Sequence, residues 1–413
     1  MTRHVLTLSI ALVIGATSTA QMPTEIKAHS GLVHSVAFSP DGKYFATAGF
    51  DKTAKLYEFN NGQFKEVRTL TGHTEVVYCV AFSPDSKTLA TSSLDKTIRL
   101  WNVADGKPGP EIKGHTAIVD VVAWSPDGKT LASGSGDADK SVRLWNPADG
   151  KEVKNLGTHT GSVYTLAFSP DSKTLASAGS DKVIKLWDVA GQKMIKELKG
   201  HEDGVTGLVF AGDNDTLVST SMGQDRTIRV WNVNAVIPKE PKKDPEPKKD
   251  EPKKDAKKDE PKKDEKKDAK KDEPKKDKKD EPKKDEPKKD AKKDEPKKKD
   301  EPKKDEKKEP KKDEKKEPKK EEPKKDAPPM KDPHEVKVFG PTTDDIFGVS
   351  YSKETKTIAT AGYAGNISVW DLKDNKPVFT VKIKNPSYCA AFAPDGKSIA
   401  SGHDNGTVQF VKR

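Results

Sequence analysis

Five consecutive copies of one sequence unit occupy residues 24–233, and two weaker copies follow a long charged interruption, at 335–376 and 377–413. The copy at 72–101 reads GHTEVVYCVAFSPDSKTLATSSLDKTIRLW; its histidine recurs at His29, His73, His115, His159 and His201, spaced by 44, 42, 44 and 42 residues. A period in the low forties, with a histidine opening each unit and a tryptophan near its end, is the signature of four strands per propeller blade. Within the copy, Val80-Ala81-Phe82 is an apolar run for an innermost strand and Ser83-Pro84-Asp85-Ser86 a turn. Thr88 to Ser92 is a second strand, Leu94-Asp95-Lys96 a tight turn and Ile98 to Trp101 a third strand. The fourth strand precedes the next histidine.

These residues resemble a WD-repeat β-propeller over all of the chain except its first 20 or so residues and the charged tract. The resemblance implies a buried hydrogen-bonded tetrad of histidine, strand hydroxyl, turn aspartate and tryptophan in each blade, which satisfies polar groups that are costly to bury. It assigns His73, Thr91, Asp95 and Trp101 to the second repeat, and His115, Ser133, Asp139 and Trp145 to the third. His159, Ser177, Asp181 and Trp187 fall in the fourth, and His201, Ser219, Asp225 and Trp231 in the fifth. The first repeat has His29, Thr47 and Asp51, with Tyr57 for the tryptophan. The sixth keeps Thr360 and Trp370 but has Thr342 and Ala364 where His and Asp belong; the seventh keeps only Ser401, with Ile383, Asn405 and Val411 at the other positions. Blades six and seven are therefore expected to be the softer part of the ring. One motif repeated five times reads as structure rather than as five active sites.

The chain ends set the blade count. Thr24 to His29 resembles the stretch Pro110 to His115 that precedes a repeat, and the last repeat stops after its third strand. Pairing the first segment with the last blade closes an all-β ring of seven blades and removes two exposed sheet edges.

Residues 1–20 carry Arg3 and His4, an apolar run from Val5 to Ile14 and the small residues Ala16 to Ala20, which reads as a secretory signal peptide. At about ten residues the run falls short of the roughly 20 needed to span a bilayer. The expectation is an exported protein, periplasmic or extracellular, with no membrane span. The only cysteines, Cys79 and Cys389, align on the innermost strands of blades two and seven. A blade lies between them, on the order of 10 Å, beyond the roughly 7 Å that a disulfide reaches, so both are expected to be small core residues.

The net charge of +10 is concentrated in one place: residues 239–332 hold 41 Lys against 33 Asp or Glu. PKKDE and AKKDE units with frequent prolines and almost no apolar side chains can neither hold a long helix nor bury a core, so this segment is expected to be disordered. The organisation expected is a signal at 1–20, a propeller at 21–237, a disordered insertion within blade five at 238–334 and the rest of the propeller at 335–413. Growing a turn of about five residues to about 97 costs only roughly 2 to 3 kcal/mol of loop-closure entropy.

The chain has no G-x-S-x-G, H-E-x-x-H, P-loop, GxGxxG or C-x-x-C. His34 and His403 near Asp404 make a pair without a third metal ligand. Asn214, Asn366 and Asn405 open glycosylation sequons, a weak signal in any chain. No catalytic residue, metal or cofactor is expected, and the chain is read as a monomer. The resemblance places partner binding on the top face, at the residue opening each innermost strand and the residue before the turn aspartate. The first set is His34, Tyr78, Asp120, Tyr164, Thr206, Phe347 and Tyr388; the second is Phe50, Leu94, Ala138, Ser180, Gln224, Tyr363 and Asp404. Large apolar members cluster on blades six, seven, one and two: Phe347, Tyr363, Tyr388, His34, Phe50, Tyr78 and Leu94. Clustered aromatics mark a recognition surface, so the expected function is a noncatalytic platform for a protein or peptide partner. Two alternatives stand beside it. One is binding of an anionic envelope polymer, rather than a specific nucleic acid, through residues 239–332; the other is an enzyme in the central channel, where Asp120 is the one acid found.

Overall fold

The computed structural model describes residues 25–60, 63–136, 138–235, 331–374 and 376–413. The signal reading at 1–20 and most of the charged tract lie outside the described residues. The described residues form seven four-stranded antiparallel sheets. Blade two is typical: Val77–Phe82, Thr88–Ser93, Ile98–Asn102 and Pro108–Ile112, ordered from the channel outward. Short runs rich in β-branched and aromatic residues, broken by Ser-Pro-Asp and Asp-Lys turns, give the strands. No helix among these residues is long and apolar enough to cross a membrane.

The ring closes as the chain ends require. Glu25–Lys27 pairs antiparallel with Thr407–Lys412, Glu25 opposite Gln409 and Lys27 opposite Thr407, and completes blade seven. In blade five the third strand, Ile228–Asn232, pairs with Glu335–Phe339, so the chain leaves and re-enters the same sheet around the tract. The turn before that last strand is anchored: the buried His334 pairs with Asp332 and faces Lys196 Nζ at 3.0 Å, and Asp332 accepts the Lys199 amide.

Apolar clusters lie between successive blades. In one, Leu56 and Leu70 of blade one pack with Val80, Leu89 and Trp101 of blade two. Polar links join neighbours at both faces. On the face that carries the histidine loops, Lys52, Lys140 and Lys182 donate to the carbonyls of Thr74, Thr160 and Glu202 in the next blade at 2.7 to 3.0 Å. On the other face the amides of Asp41 and Asp127 donate to Ser86 and Ser172, each at 3.1 Å.

The cysteines are unbridged and pack on the core as expected. Both also line the central channel, because alternate residues of an innermost strand face the ring axis. Burial raises the Cys79 thiol and pushes Cys389 up to about 12, so both remain protonated at neutral pH.

Candidate functional site: the channel mouth and its supports

The supports come first, because they fix the loops that frame the mouth. In blades one to five the histidine Nδ1–H donates to the turn aspartate at 2.5 to 2.9 Å. A carboxylate only accepts, so Nδ1 carries a proton, and Nε2 meets the hydroxyl of Thr47, Thr91, Ser133, Ser177 or Ser219 at 2.6 to 2.7 Å. That hydroxyl accepts in turn from the indole N–H of Trp101, Trp145, Trp187 or Trp231, at 2.7 to 2.9 Å. Tyr57 fills the tryptophan position in blade one and is buried. Burial holds His29, His115 and His201 below the usual histidine range against the pull of their aspartates. Burial works the other way on Asp139, but bonds from Ser141, the Thr116 amide and His115 outweigh it and hold the carboxyl at about 2.

In blade six, sequence reasoning missed one acid. Thr342 stands at the histidine position and turns away, its amide donating to Arg226 O at 2.8 Å and its hydroxyl to Asp344 O at 2.7 Å. Asp344 supplies the carboxylate from the opposite side of the turn, accepting the amide of Ala364 at 2.6 Å and the Asn366 side chain at 3.2 Å. A signal existed: Asp344 lies two residues past the histidine position, as Asp203 does in blade five, where it accepts the Gln224 amide at 3.0 Å. In blade seven Asn405 takes the Thr407 amide and hydroxyl as Asp95 takes those of Thr97, but the buried Ser401 hydroxyl finds no partner.

The seven residues that open the innermost strands share one geometry. In every blade the register with the second strand shifts at that residue, for example between Val33 and Ser35 around His34 and between Ile346 and Gly348 around Phe347. A bulge re-aims the extra side chain, and here the result is convergence. His34, Tyr78, Asp120, Tyr164, Thr206, Phe347 and Tyr388 all line one cavity of about 430 Å³ at the channel mouth. Six of the seven aromatic and apolar residues singled out in the sequence form two groups. His34, Phe50 and Tyr78 have ring centroids 4.8 to 6.0 Å apart. Phe347, Tyr363 and Tyr388 lie 5.7 to 6.4 Å apart. Leu94, 41 % exposed, stands outside both groups, and Tyr363 is the most exposed aromatic at 54 %. On the far sector Tyr164, Met222 and Thr206 line the same mouth.

The two histidines considered as a metal pair make separate backbone bonds. His34 Nδ1 donates to Tyr78 O at 2.8 Å and His403 Nδ1 to Pro386 O at 2.9 Å. Among the described residues no cluster of three or more His, Cys, Asp or Glu side chains is arranged to hold a metal.

The family model described as WD domain, G-beta repeat, matches residues 21–58, 64–102, 106–146, 150–188, 192–232, 334–371 and 375–411, seven matches that each span the outer strand of one blade and the three inner strands of the next, with none within 233–333.

Proposed function

The chain belongs to the WD40 repeat family, whose propellers act as interaction scaffolds and are generally noncatalytic, and from that premise we propose that it captures a protein or peptide partner over the channel mouth. The observation that carries this reading is the convergence of all seven bulged residues on one mouth, with two aromatic groups on blades six, seven, one and two. Rings that only padded strand ends would be sealed, whereas Tyr363 is half open to solvent and its partners are partly so. In this reading the protein works outside the cytoplasm as a monomer, and residues 239–332 act as a spacer.

The test replaces Phe347 and Tyr363 together with Ala and compares capture of partners from an envelope extract with that by a Ser180→Ala, Gln224→Ala control. Aromatic hot spots contribute about 2 kcal/mol or more each, so the first variant should lose capture at an unchanged melting temperature while the control keeps it. Unfolding of the aromatic variant returns those rings to the core. If instead capture tracks deletion of 239–332 and falls steeply with salt, the function moves to the lysine tract.

A further inference from the structure

Blade six lacks its histidine, and the smaller Asp344 carboxylate takes the ring's place beside Gly362. In the intact blades the loop before the first strand packs a glycine on the tryptophan ring: a Cβ built on Gly72, Gly114 or Gly200 would lie 3.0 to 3.3 Å from the indole of Trp101, Trp145 or Trp231. In blade six that loop carries Pro341 and Thr342, and Thr342 bonds to the carbonyls of Arg226 and Asp344. A cavity of about 310 Å³ results, outside the channel, between this loop and the second, third and fourth strands. It is about twice the size of an apolar cavity known to hold a six-membered ring, roughly 150 Å³.

Its chemistry is narrow. Hydroxyls come from Thr342, Thr343, Thr360, Ser368 and Thr380, a carboxylate from Asp344, a carboxamide from Asn366 and an indole from Trp370, and no basic side chain lines it. Thr360 still accepts the Trp370 N–H at 3.0 Å, but the short imidazole bond its counterparts make is absent, leaving only a 3.5 Å approach to Ser368 O. The Asp344 carboxylate has moved into the place of the ring. A Cβ built on Gly362 would lie 2.2 Å from Asp344 Oδ2, as one on the equivalent Gly49 would from His29 Nδ1. The remaining space is thus bounded by a buried acceptor on one side and a hydroxyl with an unused bond on the other. An anion meets Asp344 with no compensating cation, and an apolar ring strands Thr360 and Asp344 in a desolvated site. A hydroxyl satisfies both, donating to the carboxylate and accepting from Thr360, and neighbouring hydroxyls of the same molecule can engage the Ser368–Thr380 pair, whose hydroxyls bond to each other at 3.0 Å.

We propose that this blade-six cavity binds a neutral polyhydroxylated ligand of monosaccharide size. The site is separate from the channel mouth, and its test does not depend on partner capture. The probes are D-glucose and D-galactose, followed by saturation-transfer NMR and by the rise in melting temperature that a native-state ligand produces, with glucuronate as the anionic arm. The intact protein should show saturable binding of at least one hexose and weaker binding of glucuronate. Thr380→Phe, which plugs the exposed rim on the fourth strand, should weaken it by about tenfold or more, about 1.4 kcal/mol. Thr380→Val, which removes only the hydroxyl, should weaken it less and guards against a folding defect in the bulkier variant. Absence of saturation with both hexoses, equal binding by Thr380→Phe at a native melting temperature, or glucuronate binding as well as glucose each overturns the proposal.

Discussion

A single aspartate shows how much depends on one side chain. Asp95 accepts from His73 Nδ1 at 2.8 Å, from the amides of Thr74 and Thr97 at 3.0 Å and from the Thr97 hydroxyl at 2.6 Å. Asp95→Ala strands a buried imidazole N–H and two amides, a loss of about 1 to 3 kcal/mol. Asp105, in the next exposed turn, meets only the amide and ammonium of Lys107, and Asp105→Ala should leave stability nearly unchanged. Urea midpoints of the two variants check this, and equal shifts would count against the tetrad as a stabilising unit. Such residues are legible in sequence because each role demands one chemistry at a nearly fixed offset: the hydroxyl lies 18 residues from the histidine in each of blades one to five, and the carboxylate 22 or 24. Asp344 left only its position two residues past the histidine site as a mark, because it reaches the turn from the other side and breaks the offset rule while keeping the chemistry.

Strands follow the same logic one level up. The period and turn residues predict four strands per blade, and the chain ends predict which strand closes the ring, since alternation and edge avoidance leave few other arrangements. The bulges are another matter. All seven innermost strands shift register at their second residue, but residues as different as His34, Asp120, Thr206 and Phe347 occupy the bulge and no glycine marks it, so the aim of the mouth residues emerges only from the folded sheet. The closing strand is short, yet it covers two edges. Ile26 packs on the cluster of Val33, Phe45 and Phe410, Gln409 reaches Glu25 at 3.0 Å, and the amides of Ala28 and His29 bond to Gly406 O. Deleting residues 24–27 should therefore lower the melting temperature far more than deleting 239–332, whose neighbouring strands stay paired. Equal melting temperatures for the two deletions would sink the closure argument.

For the molecule as a whole, the repeated burial of ionisable groups sets a pH dependence. Burial lowers the pKa values of His29, His34, His115, His201 and His403 from the ordinary value of 6.5, so the native ring holds these imidazoles neutral where the unfolded chain takes up protons. A base with a depressed native pKa stabilises the fold above its unfolded pKa and loses that contribution as pH falls below it, up to about 1.4 kcal/mol per pH unit for each group. The turn carboxylates Asp51, Asp95, Asp139, Asp181 and Asp225 are also depressed, the bonds to their histidines and neighbouring amides and hydroxyls outweighing burial, so their contribution drains in a second window below 3.8. Both windows have the same sign, and stability rises with pH through each. The melting temperature should be nearly level between about pH 7 and 8 and fall steeply from about pH 6 downward, with the histidines giving way before the carboxylates. Melts at constant ionic strength, repeated after deletion of 239–332 to remove that segment's own titration, provide the check. A melting temperature that holds or rises between pH 7 and 5 would mean that these histidines are charged in the native ring, and the neutral imidazole assigned to His29, His115 and His201 would have to be abandoned.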